Sequence, residues 1–142
     1  MLADQIFVFP AGIYAIDDTI TIPPGSRIVG VLWPQLMAVG SKFDNVNDPH
    51  VFIRVGEAGQ TGLVEISDVI ITGKGPLRGA IYMEWNMKEL EGQQGSAAMW
   101  EVLFRIGGAL GMKSLHVDIS NVDVGTDLQL SQCPSDKVGN IK

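Results

Sequence analysis

The opening third of the chain is a succession of short apolar runs, Ile6 to Phe9, Ile13 to Ile16, Thr19 to Ile22 and Arg27 to Val31, each ended by Gly, Pro or Asp. Runs of this length, rich in β-branched side chains and bounded by turn formers, predict strands and leave no room for a helix of ordinary length. In Thr19 to Ile22 the isoleucines share one face and the threonines the other, whereas Ile6-Phe7-Val8-Phe9 is apolar on both faces. The first strand is therefore predicted to be covered on two sides. Between the third and fourth runs, Pro24-Gly25 fits a type II turn, since Pro presets φ at the first central position and Gly accepts positive φ at the second.

Beyond Met37 the spacing loosens, and Ser41 to His50 is polar, turn-prone and without period, the pattern of a surface loop. Strand-like runs return at Val51 to Val55, Leu63 to Ile66, Val69 to Thr72 and Ala80 to Trp85, separated by Gly-rich corners. Met87 to Trp100 is mostly polar and reads as a loop weakened against helix by Gly92 and Gly95, and Glu101 to Ile106 reads as a further strand. Short strands at coil-sized spacing without intervening helices predict a solenoid, in which each turn buries its inner residues only by stacking on its neighbours.

Composition narrows the picture. A chain of 142 residues, 46% apolar and 18% charged with 17 glycines, is that of a turn-rich β protein that folds. The net charge of −6 and the lack of any Lys/Arg cluster exclude a nucleic-acid surface and disfavour a polyanionic substrate. No stretch approaches the roughly 18 apolar residues of a membrane span, so no membrane partner is expected, and the N-terminus has no secretory pattern. The single cysteine, Cys133, has no partner for an internal disulfide.

Several strings are more specific. Phe9-Pro10-Ala11-Gly12-Ile13-Tyr14, Ile22 to Gly30, Val64-Glu65-Ile66-Ser67-Asp68, Gly79 to Asn86 and Phe104 to Ala109 resemble the second β-helix region of glucan 1,3-β-glucosidases of glycoside hydrolase family 55. The resemblance resumes at Gly125-Thr126-Asp127-Leu128-Gln129 and runs to Pro134. It implies an all-β, right-handed parallel β-helix of the pectate-lyase-like kind, with long loops, here in partial form. Residues 1–109 would be the first coils of a β-helix domain, 110–124 an insertion foreign to the family, and 125–142 a resumed, truncated segment. The resemblance implies a nearly direct run from the Gly-Gly-Ala string into Gly-Thr-Asp-Leu-Gln, so Leu110 to Val124 is expected to be a translated intron, absent from the spliced transcript on sequencing, with a surface-loop insertion as the alternative.

The resemblance further implies a fragment of an extracellular, inverting exo-β-1,3-glucanase, inactive by itself, with β-1,3-glucan as partner of the parent enzyme. A non-catalytic polysaccharide-binding or structural module and a pectate-lyase-like enzyme are the alternatives. Glycoside hydrolysis uses two carboxyls, one protonated and one ionised, about 6.5 to 9.5 Å apart when the reaction inverts. Glu65, Asp68, Glu84 and Glu101 are the candidates here. Glu84 stands out, beside Trp85 and Asn86 at a strand end, where a cleft would place an acid, a stacking ring and an amide. Glu84 and Trp85 are thus expected to line a substrate cleft, Glu84 otherwise pairing with Arg78 or Arg105, while the catalytic acid is expected outside this chain. Trp33 and Trp100 read as core or corner packing. His50 and His116 lack partners at ligand spacing, so neither metal nor cofactor is expected. An open stack of coils exposes strand edges, and self-association is expected when the chain is expressed alone.

Overall fold

The computed structural model describes residues 5–107. Eleven short strands and one 3₁₀ turn, Ser41–Phe43, make up its regular structure. The strands are β1 Gln5–Phe9, β2 Ile13–Ile16, β3 Ile20–Ile22, β4 Ser26–Gly30, β5 Gln35–Val39, β6 His50–Val55, β7 Val64–Ser67, β8 Ile70–Lys74, β9 Ala80–Trp85, β10 Ala97–Trp100 and β11 Leu103–Arg105. They form three sheets, β1-β4-β7-β10, β2-β5-β8-β11 and β3-β6-β9, in which every pairing is parallel. Consecutive strands thus visit the first, second and third sheet in turn before returning one layer up. This is a parallel β-helix, with three full coils and the first two strands of a fourth among the described residues.

The register shows what holds the coils together. In the first sheet Phe7, Ile28, Ile66 and Met99 stand in one row across successive coils. In the second sheet Tyr14, Leu36, Ile71 and Phe104 do so, and in the third Ile22, Val55 and Trp85. The middle members Ile28, Ile66, Leu36, Ile71 and Val55 are buried, since each has a neighbour above and below. The end members Phe7, Met99 and Phe104, each with a neighbour on one side only among the described residues, are exposed, whereas Ile22 at the end of the third row is buried. Burial here depends on stacking along the axis, as in any solenoid.

Three corners connect the sheets. Corner 1, from first sheet to second, consists of Pro10 to Gly12, Val31 to Pro34, Asp68-Val69 and Glu101-Val102 in successive coils. Corner 2, from second to third, is short in the first coil and carries the Ser41–Phe43 turn in the second. Corner 3 returns to the first sheet. It contains Pro24-Gly25, where the positive φ of Gly25 matches the expected turn.

Two strands go beyond the sequence pattern: β10, which lies in the stretch read as loop, and β5, for which that pattern predicts no element. Leu36, Met37 and Ala38, like Ala97, Ala98 and Met99, carry no β-branched signal, so pairing with neighbouring coils, not propensity, makes them strands. The two-sided cover expected for β1 is not met, since Ile6, Phe7 and Val8 are all exposed and only Phe9 is half-buried. Phe7 belongs to the inner row, while Ile6 and Val8, on the outer face, are 63% and 57% exposed.

The segment 110–124, expected to be foreign, and the resumed segment 125–142 with Cys133 lie outside the described residues. The coil register nevertheless gives that sequence a second reading. Val117-Asp118-Ile119-Ser120-Asn121-Val122 repeats Val64-Glu65-Ile66-Ser67-Asp68-Val69, the string that forms β7 and its corner, almost residue type for residue type. Sequencing the spliced transcript decides between the two readings.

Candidate functional site

The outer face of the third sheet carries the row Thr21, Arg54 and Glu84. Glu84 Oε1 accepts hydrogen bonds from Asn86 Nδ2 at 2.7 Å and from Arg54 Nε at 3.1 Å, and Asn86 Nδ2 also donates to the Gly56 carbonyl at 3.2 Å. The Asn86 amide, and then the Arg54 charge, hold the Glu84 carboxyl below the usual carboxylate range. It is an ionised acceptor, unsuited to donate a proton to a leaving oxygen at neutral pH. Its cationic partner is Arg54, one coil earlier in the same row, and not Arg78 or Arg105; Arg78 instead forms a two-pronged pair with Asp44, at 2.7 and 3.1 Å.

Trp85 belongs to the opposite, inner row with Ile22 and Val55, and its indole N–H donates to the Met87 carbonyl at 3.0 Å. Alternation along β9 thus sends Glu84 and Trp85 to opposite faces. Glu84 and Asn86 meet on one surface as the sequence suggests, and Trp85 does not join them.

Corner 2 holds a second polar group. Asp18 accepts from Lys42 Nζ and from the Thr19 backbone N–H, and lies 3.0 Å from His50 Nε2. The Lys42 bond above all, then the Thr19 and His50 bonds, push its carboxyl far below the ordinary value. These residues come from two successive coils and tie the Ser41 to His50 stretch to the coil before it. The sign of the pH effect follows: a carboxyl with a depressed folded pKa contributes its stability above the ordinary value near 4 and loses it only as pH falls through the folded pKa. Asp18, Asp44 and Glu84 share this direction. The urea midpoint is therefore expected to be unaffected by these three groups from neutral pH down to about pH 5, and Asp18→Asn to show a smaller acid loss than the parent below about pH 4.

Corner 1 concentrates the unusual backbone. Leu32, Trp33, Asp68 and Glu101, with φ between 52° and 60°, are the non-glycine residues at positive φ among the described residues, and all four lie on this one edge. Left-handed geometry at a bulky residue costs roughly 1–3 kcal/mol, so the edge is held by its surroundings. Val31 N–H donates to Phe9 O, Ile70 N–H to Pro34 O, Asp68 N–H to Trp100 O and Leu103 N–H to Val69 O, stitching four coils together at 2.9 to 3.2 Å. Pro34 and Val69 fill the inside of the corner.

The outside of corner 1 is what sequence reasoning missed. Leu32 is 80% exposed, Trp33 41% and Trp100 46%, so neither tryptophan is core. For Trp100 the signal was available: Met99 continues the inner row, so the next residue on a strand must face out. Asp68 and Glu101 occupy equivalent positions in adjacent coils between the pairs Ser67–Trp100 and Ile70–Leu103. Neither carboxylate has a side-chain hydrogen bond or ion pair among the described residues.

No family model matches the chain. Its relatives carry two kinds of name. The chain is 44% identical over 109 residues to a probable glucan endo-1,3-beta-glucosidase of Arthroderma benhamiae, covering 77% of this chain and 12% of that protein. It is 34% identical over 139 residues to a glucan 1,3-beta-glucosidase of Cochliobolus carbonum, covering 98% and 15%. It is also 46% identical over 110 residues to a non-secreted LysM effector, LysM19, of Penicillium expansum, covering 78% and 8%. The chain thus spans between 8% and 15% of the length of these relatives. What is common to all three is a matched stretch of 109 to 139 residues inside a much longer protein.

Proposed function

We propose that this chain is part of a β-1,3-glucan hydrolase of glycoside hydrolase family 55, that it contributes coils and a glucan-facing surface, and that it does not cleave glucan by itself. The observation that carries the reading is the similarity to proteins named probable glucan endo-1,3-beta-glucosidase and glucan 1,3-beta-glucosidase, across 77% and 98% of the chain, combined with the parallel β-helix. An inverting mechanism and an extracellular location follow from the same reading. The words "non-secreted" and "LysM effector" belong to the Penicillium relatives and name no substrate.

The test pairs reducing-sugar release from laminarin with a pull-down on insoluble β-1,3-glucan. Binding without release is the expected result; release by the isolated chain, or no binding, overturns the proposal. The contribution of Glu84 to the substrate surface is tested by Glu84→Gln in a full-length relative, where undiminished laminarin turnover removes it. The exposure of Phe7, Met99 and Phe104 at the ends of the inner rows, among the described residues, supports self-association of the isolated chain. Gel filtration is expected to show species larger than a monomer at micromolar concentration.

A non-catalytic binding module is the second reading. It is favoured by the state of Glu84, which is ionised and committed to Arg54 and Asn86. Binding by the isolated chain together with loss of binding, but not of turnover, in a full-length relative carrying the same surface change would select it.

A further inference from the structure

We propose that the outer edge of corner 1 is a binding strip for a neutral β-glucan chain, with Trp33 and Trp100 as stacking platforms, Asp68 as a hydroxyl acceptor on the coil between them and Glu101 as a second acceptor beside Trp100. The inference rests on the glucan reading above and assigns it to a surface distinct from that of Glu84.

The geometry comes from the coil register. Trp33 is on the second coil, Asp68 on the third, and Trp100 and Glu101 on the fourth. Neighbouring strands are about 4.8 Å apart, so the two rings are separated by about 10 Å along the axis, with the carboxylates spaced within or beside that interval. Asp68 is seated against the second coil: a Cβ at Gly30 would lie 2.0 Å from the Asp68 carbonyl oxygen, and the Asp68 N–H reaches up to Trp100 O at 3.2 Å. One edge therefore carries aromatic, carboxylate, aromatic and carboxylate groups on a backbone held in place by hydrogen bonds from coil to coil.

Each group suits a sugar. An indole ring covers the apolar C–H face of a pyranose while its N–H remains a donor. Among the described residues neither Trp33 nor Trp100 spends that N–H on a protein acceptor, in contrast to Trp85, which donates to Met87 O. Carboxylate oxygens without donors among the described residues can accept hydrogen bonds from hydroxyls. Corner 1 and the adjoining outer row Val8, Val29, Ser67 and Trp100 contain no Lys or Arg. An anionic saccharide such as a polyuronate would meet Asp68 and Glu101 without a compensating cation, so the strip selects uncharged glycans.

The backbone supports the assignment. Placing Leu32 and Trp33 successively at φ 60° and 57° keeps two bulky apolar side chains outside the coil. Strained backbone that displays an aromatic side chain to solvent is more economically explained by a ligand than by packing, because Pro34 and Val69 already fill the interior.

The experiment is isothermal titration of the full chain with laminarihexaose and, separately, with hexagalacturonate. The parent chain is expected to bind the glucan and to show no measurable heat with the uronate. Trp33→Ala and Trp100→Ala should each weaken glucan binding several-fold, and the double variant by about tenfold or more. Trp33→Phe, which keeps a ring, should retain most of the affinity. Asp68→Asn, which tolerates left-handed geometry, should weaken glucan binding without unfolding the chain. Circular dichroism identical to the parent's establishes that each variant is folded, and the Phe and Asn variants provide the readout if an alanine variant is not. A double variant that binds laminarihexaose as tightly as the parent, or equal binding of the two oligosaccharides, overturns the strip while leaving the glucan reading intact. Absence of laminarihexaose binding by the parent overturns both.

Discussion

Gly30→Ala is expected to unfold the chain or bring it close to unfolding at room temperature. Gly30 ends β4, paired with Phe9, and a Cβ there would sit 2.0 Å from the Asp68 carbonyl oxygen and 2.8 Å from Pro34 Cδ. The obstruction is backbone, which cannot swing away as a flexible side chain can. Asp68 is held at φ 58° with its N–H bonded to Trp100 O, and Pro34 is fixed by its carbonyl's bond from the Ile70 N–H. Relief requires separating the second coil from the third at corner 1, which takes apart the rows containing Ile28, Ile66, Leu36 and Ile71. Overpacking ordinarily costs about 1–3 kcal/mol; with a backbone oxygen as the obstacle the upper end or beyond applies, against a total of about 5–15 kcal/mol for a domain. Gly59→Ala is the control, since a Cβ there meets nothing within 4 Å and only its φ of 83° opposes the change. It should cost about 1–2 kcal/mol. Urea midpoints measured by circular dichroism decide the matter: if Gly30→Ala melts with the parent, the coils do not approach one another at this corner as described.

How far the sequence revealed this arrangement varies from one element to another. Ile13 to Ile16 and Ala80 to Trp85 coincide with β2 and β9, because β-branched and aromatic residues bounded by Gly, Pro or Asp carry their own signal. The parallel β-helix was legible from the spacing of such runs and from the resemblance. Gln35 to Val39 and Ala97 to Trp100 were not, since their strand state is imposed by partners on neighbouring coils. The same need for register explains Glu84. A choice between Arg78 and Arg105 could be made from sequence, but the actual partner, Arg54, is a neighbour only once β6 and β9 are aligned. Trp33 was the least legible residue. Large apolar side chains are ordinarily buried, and nothing in Val31-Leu32-Trp33-Pro34 announces consecutive left-handed residues. The candidate site therefore changes with the structure, from an acid and ring side by side on one strand to aromatic and acidic groups aligned along an edge across three coils.

Phe43→Ala is expected to have the other large effect, in a stretch whose sequence reads as a polar surface loop. Phe43 ends the Ser41–Phe43 turn and is fully buried, its ring edge-on to Phe52 at 5.8 Å and to His50 at 5.3 Å. Its carbonyl accepts from the Gly79 N–H at 2.9 Å, and the Gly79 carbonyl in turn accepts from the His50 N–H at 2.8 Å. Phe43 is thus the apolar plug of corner 2, joining the second coil to the third, while Asp18, Lys42 and His50 tie the outside of the same stretch to the first. Truncating a buried phenylalanine costs about 3–5 kcal/mol through lost contact and residual cavity. Loss of the ring also frees His50 and so weakens the Asp18 cluster that faces solvent. Val46→Ala in the same stretch removes an exposed side chain and should remain within about 0.5 kcal/mol of the parent. The discriminating measurement is hydrogen exchange at the His50 and Gly79 amides together with the urea midpoint. If Phe43→Ala leaves both amides protected and the midpoint near that of Val46→Ala, the stretch is a passive surface loop; rapid exchange and a large drop identify it as the internal brace that keeps the second and third coils in register.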